Sequence, residues 1–257
     1  MRPSDRLLKI EYGPADAKER HERVRADLMA TSRRLRQPNF QIIAAADVKQ
    51  MYGLYDRHFF DGSLSELVRQ RAGDRMTFRL SSRMSRVGGT TTRRLALRGP
   101  NKGQTSYEIT LATRLLFHTF VDVSRPVRVC GLMCDDRLRA MQHVFEHELV
   151  HLIEYAIWDD SSCAAERFKR LCRRYFAHAD TKHDLVTPRE RAAVAHGVKV
   201  GAAVVFDVDG RKLRGVVNRV THRATVLVED PAGARYSNGK RYVKYYVPVS
   251  HLEAVSA

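Results

Sequence analysis

Apolar residues recur at helical spacing in several stretches of the chain and alternate strictly in others. Residues 14–36 open on Pro14, which suits a first helical turn. They carry a thin stripe of Val24, Leu28 and Leu35 under a mainly charged surface, predicting a helix that Pro38 terminates. A stronger helix is predicted over 47–60, where Asp47 can cap and Val48, Met51, Tyr52, Tyr55 and Phe59 fall on one face before Asp61-Gly62 breaks it. Met76, Phe78 and Leu80 then alternate with polar neighbours, as do Tyr107, Ile109 and Leu111. Between them Gly88-Gly89 is a break before a β-prone run, Thr90 to Thr92, and Asn101 to Gln104 reads as a turn. These segments predict a short antiparallel sheet. A long helix over about 135–157 follows, with Asp135 and Asp136 at its positive end and Leu138, Met141, Val144 and Phe145 facing inward. The segment DDSSC interrupts it, and a second helix over 164–176 turns Phe168, Leu171, Cys172 and Tyr175 inward.

The pattern changes after Pro188. From Gly197 onward short alternating strands follow one another about every ten residues, with strong hairpin signals at Asp209-Gly210 and Asn238-Gly239. That spacing predicts a small β-barrel and a domain boundary at 188–197. The chain therefore reads as α+β, with a basic N-terminal helix in 1–39, a main domain in 40–188 and the barrel in 197–257.

Composition adds a bias in partners. Of 257 residues, 44% are apolar, enough for a packed core, and 45 Lys and Arg against 29 acids give a formal net charge of +16. Such a surface is drawn to polyanions, of which nucleic acid is the usual one. The start has no apolar core of signal-peptide length, and no stretch approaches the roughly 20 apolar residues of a membrane helix. A cytoplasmic protein with no membrane partner is expected. In that reducing compartment Cys130, Cys134, Cys163 and Cys172 are core thiols or metal ligands rather than disulfides. The x₃ spacing of Cys130 and Cys134, with no second pair, favours ordinary thiols.

The candidate chemistry sits in the long helix. His147-Glu148-Leu149-Val150-His151 is an H-E-x-x-H motif. Residues at i and i+4 share a helix face, so both imidazoles can reach one Zn²⁺, while Glu148 can act as general base on a water at the metal.

Beyond this motif, the stretch from Phe40 to Leu185 resembles the SprT-like metallopeptidases, the family that includes Spartan-type DNA–protein crosslink proteases. The likeness runs through YDRHFFDGSL, FRLSSRM, GGTTTRR, YEITLATRLL, EHELVHLIEY, ERFKRLCRRYF and the Lys182-His183 pair. It implies a small α+β zincin domain, bound zinc, hydrolysis of protein substrates and an association with DNA. It also implies a structural role for His183. The chain departs from the family at the third ligand. Many relatives carry His-Gly four residues before the position of Phe168, where this sequence has Ala164 and Ala165. Catalytic zinc normally takes three protein ligands. Cys163 is the first substitute, with His178 or a carboxylate such as Glu154 or Glu166 as rivals. The zinc ribbon of several relatives is absent, since no cysteine follows Cys172.

The C-terminal barrel, which resembles SH3-like or KOW-like modules, interleaves Lys240, Arg241 and Lys244 with Tyr242, Tyr245 and Tyr246. Cations attract phosphates and aromatic faces can stack on bases. The sequence thus predicts a zinc peptidase with a nucleic-acid tether. Its alternative is a zincin that has lost catalysis and serves as a nucleic-acid-binding module.

Overall fold

The computed structural model describes residues 1–121, 123–221 and 223–255. They divide into two compact units: residues 1–117 with 125–185, and residues 118–124 with 186–257.

The first unit begins with four helices, α1 (Pro3–Lys9), α2 (Pro14–Thr31), α3 (Ala45–Phe60) and α4 (Ser63–Ala72). Helix α2 stops at Thr31, five residues short of the expected end. The Ser32 hydroxyl there accepts from the Arg34 and Leu35 amides and donates to Asp47, so the chain turns before Pro38 is reached. Asp47 is not the cap of α3. It sits one turn inside, where its carboxylate accepts the Ala44 amide at 2.7 Å. The Asp61-Gly62 break forms as expected, with both residues at positive φ.

Strands β1 (Met76–Ser81), β2 (Gly89–Leu95) and β3 (Thr105–Ala112) form a sheet of order β1-β3-β2. It is mixed rather than antiparallel. β2 and β3 pair as a hairpin, and β1 lies beside β3 in parallel register, Phe78 opposite Ile109. Two alternating segments give no strand direction. The intervening β2 occupies the far side of β3 and leaves β1 the parallel slot.

Short helix α5 (Thr113–His118) and the hairpin β4 (Val127–Val129) and β5 (Leu132–Cys134) lead to α6 (Arg137–Trp158). The Asp136 carboxylate accepts the Arg139 amide at 2.9 Å and pairs with both terminal nitrogens of Arg25 on α2 at 2.9 and 2.8 Å. It caps the helix and ties it to α2. Helix α6 is buried on nearly every side, with Leu138, Met141, Phe145, Leu149, Leu152 and Ile153 inaccessible. Helix α7 (Glu166–Phe176) buries Phe168, Leu171, Tyr175 and Phe176, with Phe168 against His147 and His151 of α6 and with Tyr175 and Phe176 against Phe60 of α3. Full burial of each large apolar side chain contributes about 1.5–3 kcal/mol.

The second unit has α8 (Pro188–His196), in the stretch expected as the domain boundary. Its five strands are β6 (Ala203–Val208), β7 (Arg211–Val220), β8 (Ala224–Arg235), β9 (Arg241–Val247) and β10 (Glu253–Ala254). Their order is β10-β6-β7-β8-β9. This is an open sheet, not the closed barrel expected. The last strand is two residues long and pairs only with β6 among the described residues, so nothing joins β9 to β10. Val204, Phe206, Val217, Val226 and Val247 form the core on one face. No described helix is long and apolar enough to cross a membrane.

Asp136→Ala removes a helix cap and leaves Arg25 without its partner. A loss of about 1–3 kcal/mol is expected in urea unfolding. Asp136→Asn, which keeps a capping oxygen, should recover part of it. Equal losses in both variants would show that the cap contributes nothing.

Candidate metal centre

The two imidazoles of the H-E-x-x-H motif converge: Nε2 of His147 and Nε2 of His151 are 3.2 Å apart. The Phe168 ring packs behind both, with centroids 4.8 and 4.4 Å from theirs, and limits their rotamers. Burial lowers His147 to about 3, helped by the neighbouring imidazoles, and lowers His151 to about 4. Both rings are neutral at pH 7, the form that binds metal.

Helix α6 ends at Asp159, which adopts positive φ and is held by Arg71 at 2.8 Å and Arg93 at 2.7 Å. The loop after it doubles back over the helix. It delivers Cys163, whose sulfur and the two imidazole nitrogens all lie within 4.8 Å of one another. The rival ligands lie elsewhere. His178 is buried against Glu146, 2.7 Å from its carboxylate. Glu166 is exposed and paired with Arg173. Glu154 is buried and accepts Arg167 at 2.6 Å and the Ser161 hydroxyl at 2.6 Å. Ser161 in turn lies 2.6 Å from Nδ1 of His151. This Ser161–Glu154–Arg167 chain fixes the His151 tautomer that presents Nε2, as outer partners of metal-binding histidines do. Two neutral imidazoles and a thiol at this separation suit Zn²⁺.

Glu148 does not join that set. Its carboxylate accepts the Thr91 hydroxyl at 2.8 Å. Burial pushes it up to about 8, with the Thr91 hydrogen bond opposing. Gly88-Gly89 explains how β2 approaches so closely. A Cβ on Gly89 would stand 2.8 Å from Cγ of Glu148, and one on Gly88 would stand 2.9 Å from a methyl of Val144. The glycines expected only as a break thus make room for the glutamate. Together these groups line a cavity of about 320 Å³.

No family model, curated protein or solved structure matches the chain. The site therefore stands on its own geometry. His183, expected as a structural residue, bridges its backbone to Val129 and also lines the cavity, with Nδ1 lacking a partner among the described residues. Cys130 and Cys134 are buried free thiols, and burial raises both, Cys134 to about 12. Neither Thr91 nor Ser161 stands out in the sequence, because a hydroxyl takes its meaning from what it faces.

The three C-terminal cations have different surroundings. Lys240 pairs with Glu229 at 2.7 Å, Arg241 donates to the Gly233 carbonyl at 3.0 Å, and Lys244 lies over the Tyr236 ring. Strand alternation puts Lys244 on one face with Tyr242 and the 63%-exposed Tyr246, and Tyr245 on the core face against Phe206. The register adds Lys212 and Arg214 of β7 to the outer face, in line with Val216 opposite Leu227 and Lys244.

In metal-free protein, Glu148 titrates higher when folded than its ordinary 4.5, so its stabilising contribution is lost as pH rises from 4.5 through about 8. His147 and His151, lowered when folded, act in the opposite sense below their ordinary 6.5. Between pH 6.5 and 8 only Glu148 of these three changes stability. Wild type should lose up to about 1.4 kcal/mol per pH unit relative to Glu148→Gln in chelator-treated samples. Parallel stability curves over that range would contradict the assignment.

Proposed function

We propose that the first unit is a zinc-dependent metallopeptidase. The observation that carries this reading is the convergence of His147, His151 and Cys163 within 4.8 Å, with Glu148 in the same cavity but outside the ligand set. His147, His151 and Cys163 would hold the zinc and leave one position for substrate or water. Bound zinc supplies Lewis-acid polarisation of a carbonyl and acidifies a water to a pKa of about 7.

Glu148 would take the proton of a water held there and hand it to the departing amine nitrogen. Thr91 orients the Glu148 carboxylate. Among the described residues strand β2 pairs with β3 on one side only, and the Gly88–Thr91 segment at its start lines the cavity. An extended peptide added along the free edge of β2 would bring its backbone carbonyl to the metal. The cavity is too small for a folded domain, so the substrate enters as a strand or loop.

The substrate class we infer is protein bound to, or crosslinked to, DNA. Net charge and the outer face of the second unit's sheet support this. There, Lys212, Arg214 and Lys244 stand with Tyr242 and Tyr246 on one surface. The cations would pair with phosphates and the tyrosines would stack on bases.

Zinc-loaded protein should cleave a DNA-bound protein substrate, and Glu148→Gln should retain zinc while losing about 10²–10⁴ in rate. Cys163→Ala should lose the zinc. Full activity in Glu148→Gln would end the mechanism, and zinc retained by Cys163→Ala would end the ligand set. Binding to single-stranded DNA should weaken in Arg214→Ala/Lys244→Ala. The slope of log affinity against log salt should become shallower by about 0.7 for each phosphate that is no longer neutralised. An unchanged slope would remove this face as the tether.

A further inference from the structure

Helix α6 carries a second constellation, on the side away from Glu148. Glu146 is completely buried, and among the described residues its partners are three imidazoles and a phenol, with no Lys or Arg. Nε2 of His21, from α2, is 3.1 Å from Oε1. Nδ1 of His143 is 2.8 Å from Oε2, and Nε2 of His178 is 2.7 Å from the same oxygen. The Tyr55 hydroxyl also reaches Oε1. A carboxylate in this position needs a positive partner, because an unmatched buried charge is costly.

Three observations narrow the choice of partner. One ligand atom from each of His21, His143 and Glu146 lies within 4.8 Å of the other two, as in the first centre. The rings of His21 and His143 are 5.2 Å apart at 76°, against 4.9 Å and 66° for His147 and His151. Nε2 of His21 is buried and makes no hydrogen bond of acceptable geometry, although a carboxylate oxygen is at hand. The in-plane direction of that nitrogen is thus not spent on the carboxylate and is open to another partner.

We propose that His21, His143 and Glu146 form a second metal site, for a divalent transition-metal ion. Two imidazoles and one carboxylate form an established ligand set for zinc and ferrous ions. His143 and Glu146 are three apart on α6, so they share a face, and His21 completes the set from α2. His178 and Tyr55 are the outer shell: both donate to Glu146 and hold it in place, as partners of ligating carboxylates do. His21 and His143 also line a cleft of about 600 Å³ with Lys18, Glu22, Asp135 and Arg139, which gives an ion its way in. The site is separate from the proposed peptidase centre and does not depend on it.

Zinc content after loading and desalting tests this, using the full chain and the variant His147→Ala/His151→Ala/Cys163→Ala. Wild type should hold two ions per chain and the triple variant one. Adding His21→Gln to the triple variant should remove that last ion. The same variants loaded with Co²⁺ give an independent readout. The triple variant should show ligand-field bands of nitrogen and oxygen ligation without thiolate charge transfer. No ion and no such bands in a folded triple variant would overturn the proposal. So would an ion that persists after His21→Gln. Failure of the first centre alone would appear differently, as one ion in wild type that is sensitive to His21→Gln and not to Cys163→Ala.

Discussion

Burial of α6 is the constraint on which the first unit depends. A helix covered on nearly every side would ordinarily be apolar all round. This one buries Arg137, Gln142, His143, Glu146, Glu148 and Glu154 as well as its leucines and Phe145. A buried polar group without a partner costs about 1–3 kcal/mol, and a charged one more. Each of these side chains must be met, and the neighbouring elements supply the partners. Arg137 donates to the carbonyls of Phe40, Leu116 and Phe117. Gln142 donates to the His21 carbonyl, Thr91 meets Glu148, and Arg167 with Ser161 meets Glu154. The packing of the unit is thus organised around the polar residues of one helix, and members of both candidate metal sites are among them.

The same constraint explains the loop after α6. Asp159 ends the helix at positive φ, and two arginines from different elements, Arg71 and Arg93, hold it. The loop then returns to place Ser161 on His151 and Cys163 beside both imidazoles. Two residues apart on one turn, they supply an outer partner and a candidate ligand. This is how a chain with Ala164 and Ala165 still completes a three-donor set.

The two units differ in what they bury. The first places ionisable side chains of α6 inside, among them His143, Glu146, Glu148 and Glu154. The second buries a small aliphatic core behind an open sheet and shows a basic, aromatic face. Its strand alternation sorts the tyrosines that look equivalent in sequence: Tyr245 belongs to the core face, and Tyr242 and Tyr246 to the outer one.

The sequence by itself determined the helices around 47–60, 135–157 and 164–176, the strand segments, the α+β class and the pairing of His147 with His151. Each follows from local periodicity, and the i, i+4 spacing fixes a shared face whatever surrounds it. Local pattern could not give the parallel placement of β1 beside β3, the open C-terminal sheet or α8, since those depend on which edges remain free once other strands have paired. Nor could it choose between Cys163, His178 and Glu166, which lie well beyond His151 in the chain, and Glu154, which shares its helix. Tertiary structure sorted them, by placing Glu154 against Arg167, His178 against Glu146 and Glu166 in solvent, with the Cys163 loop folded back over the imidazoles. The Glu146 cluster was silent in the sequence for the same reason. Its members come from α2, α3, α6 and the turn after α7, and only the packing of those elements brings them to one point.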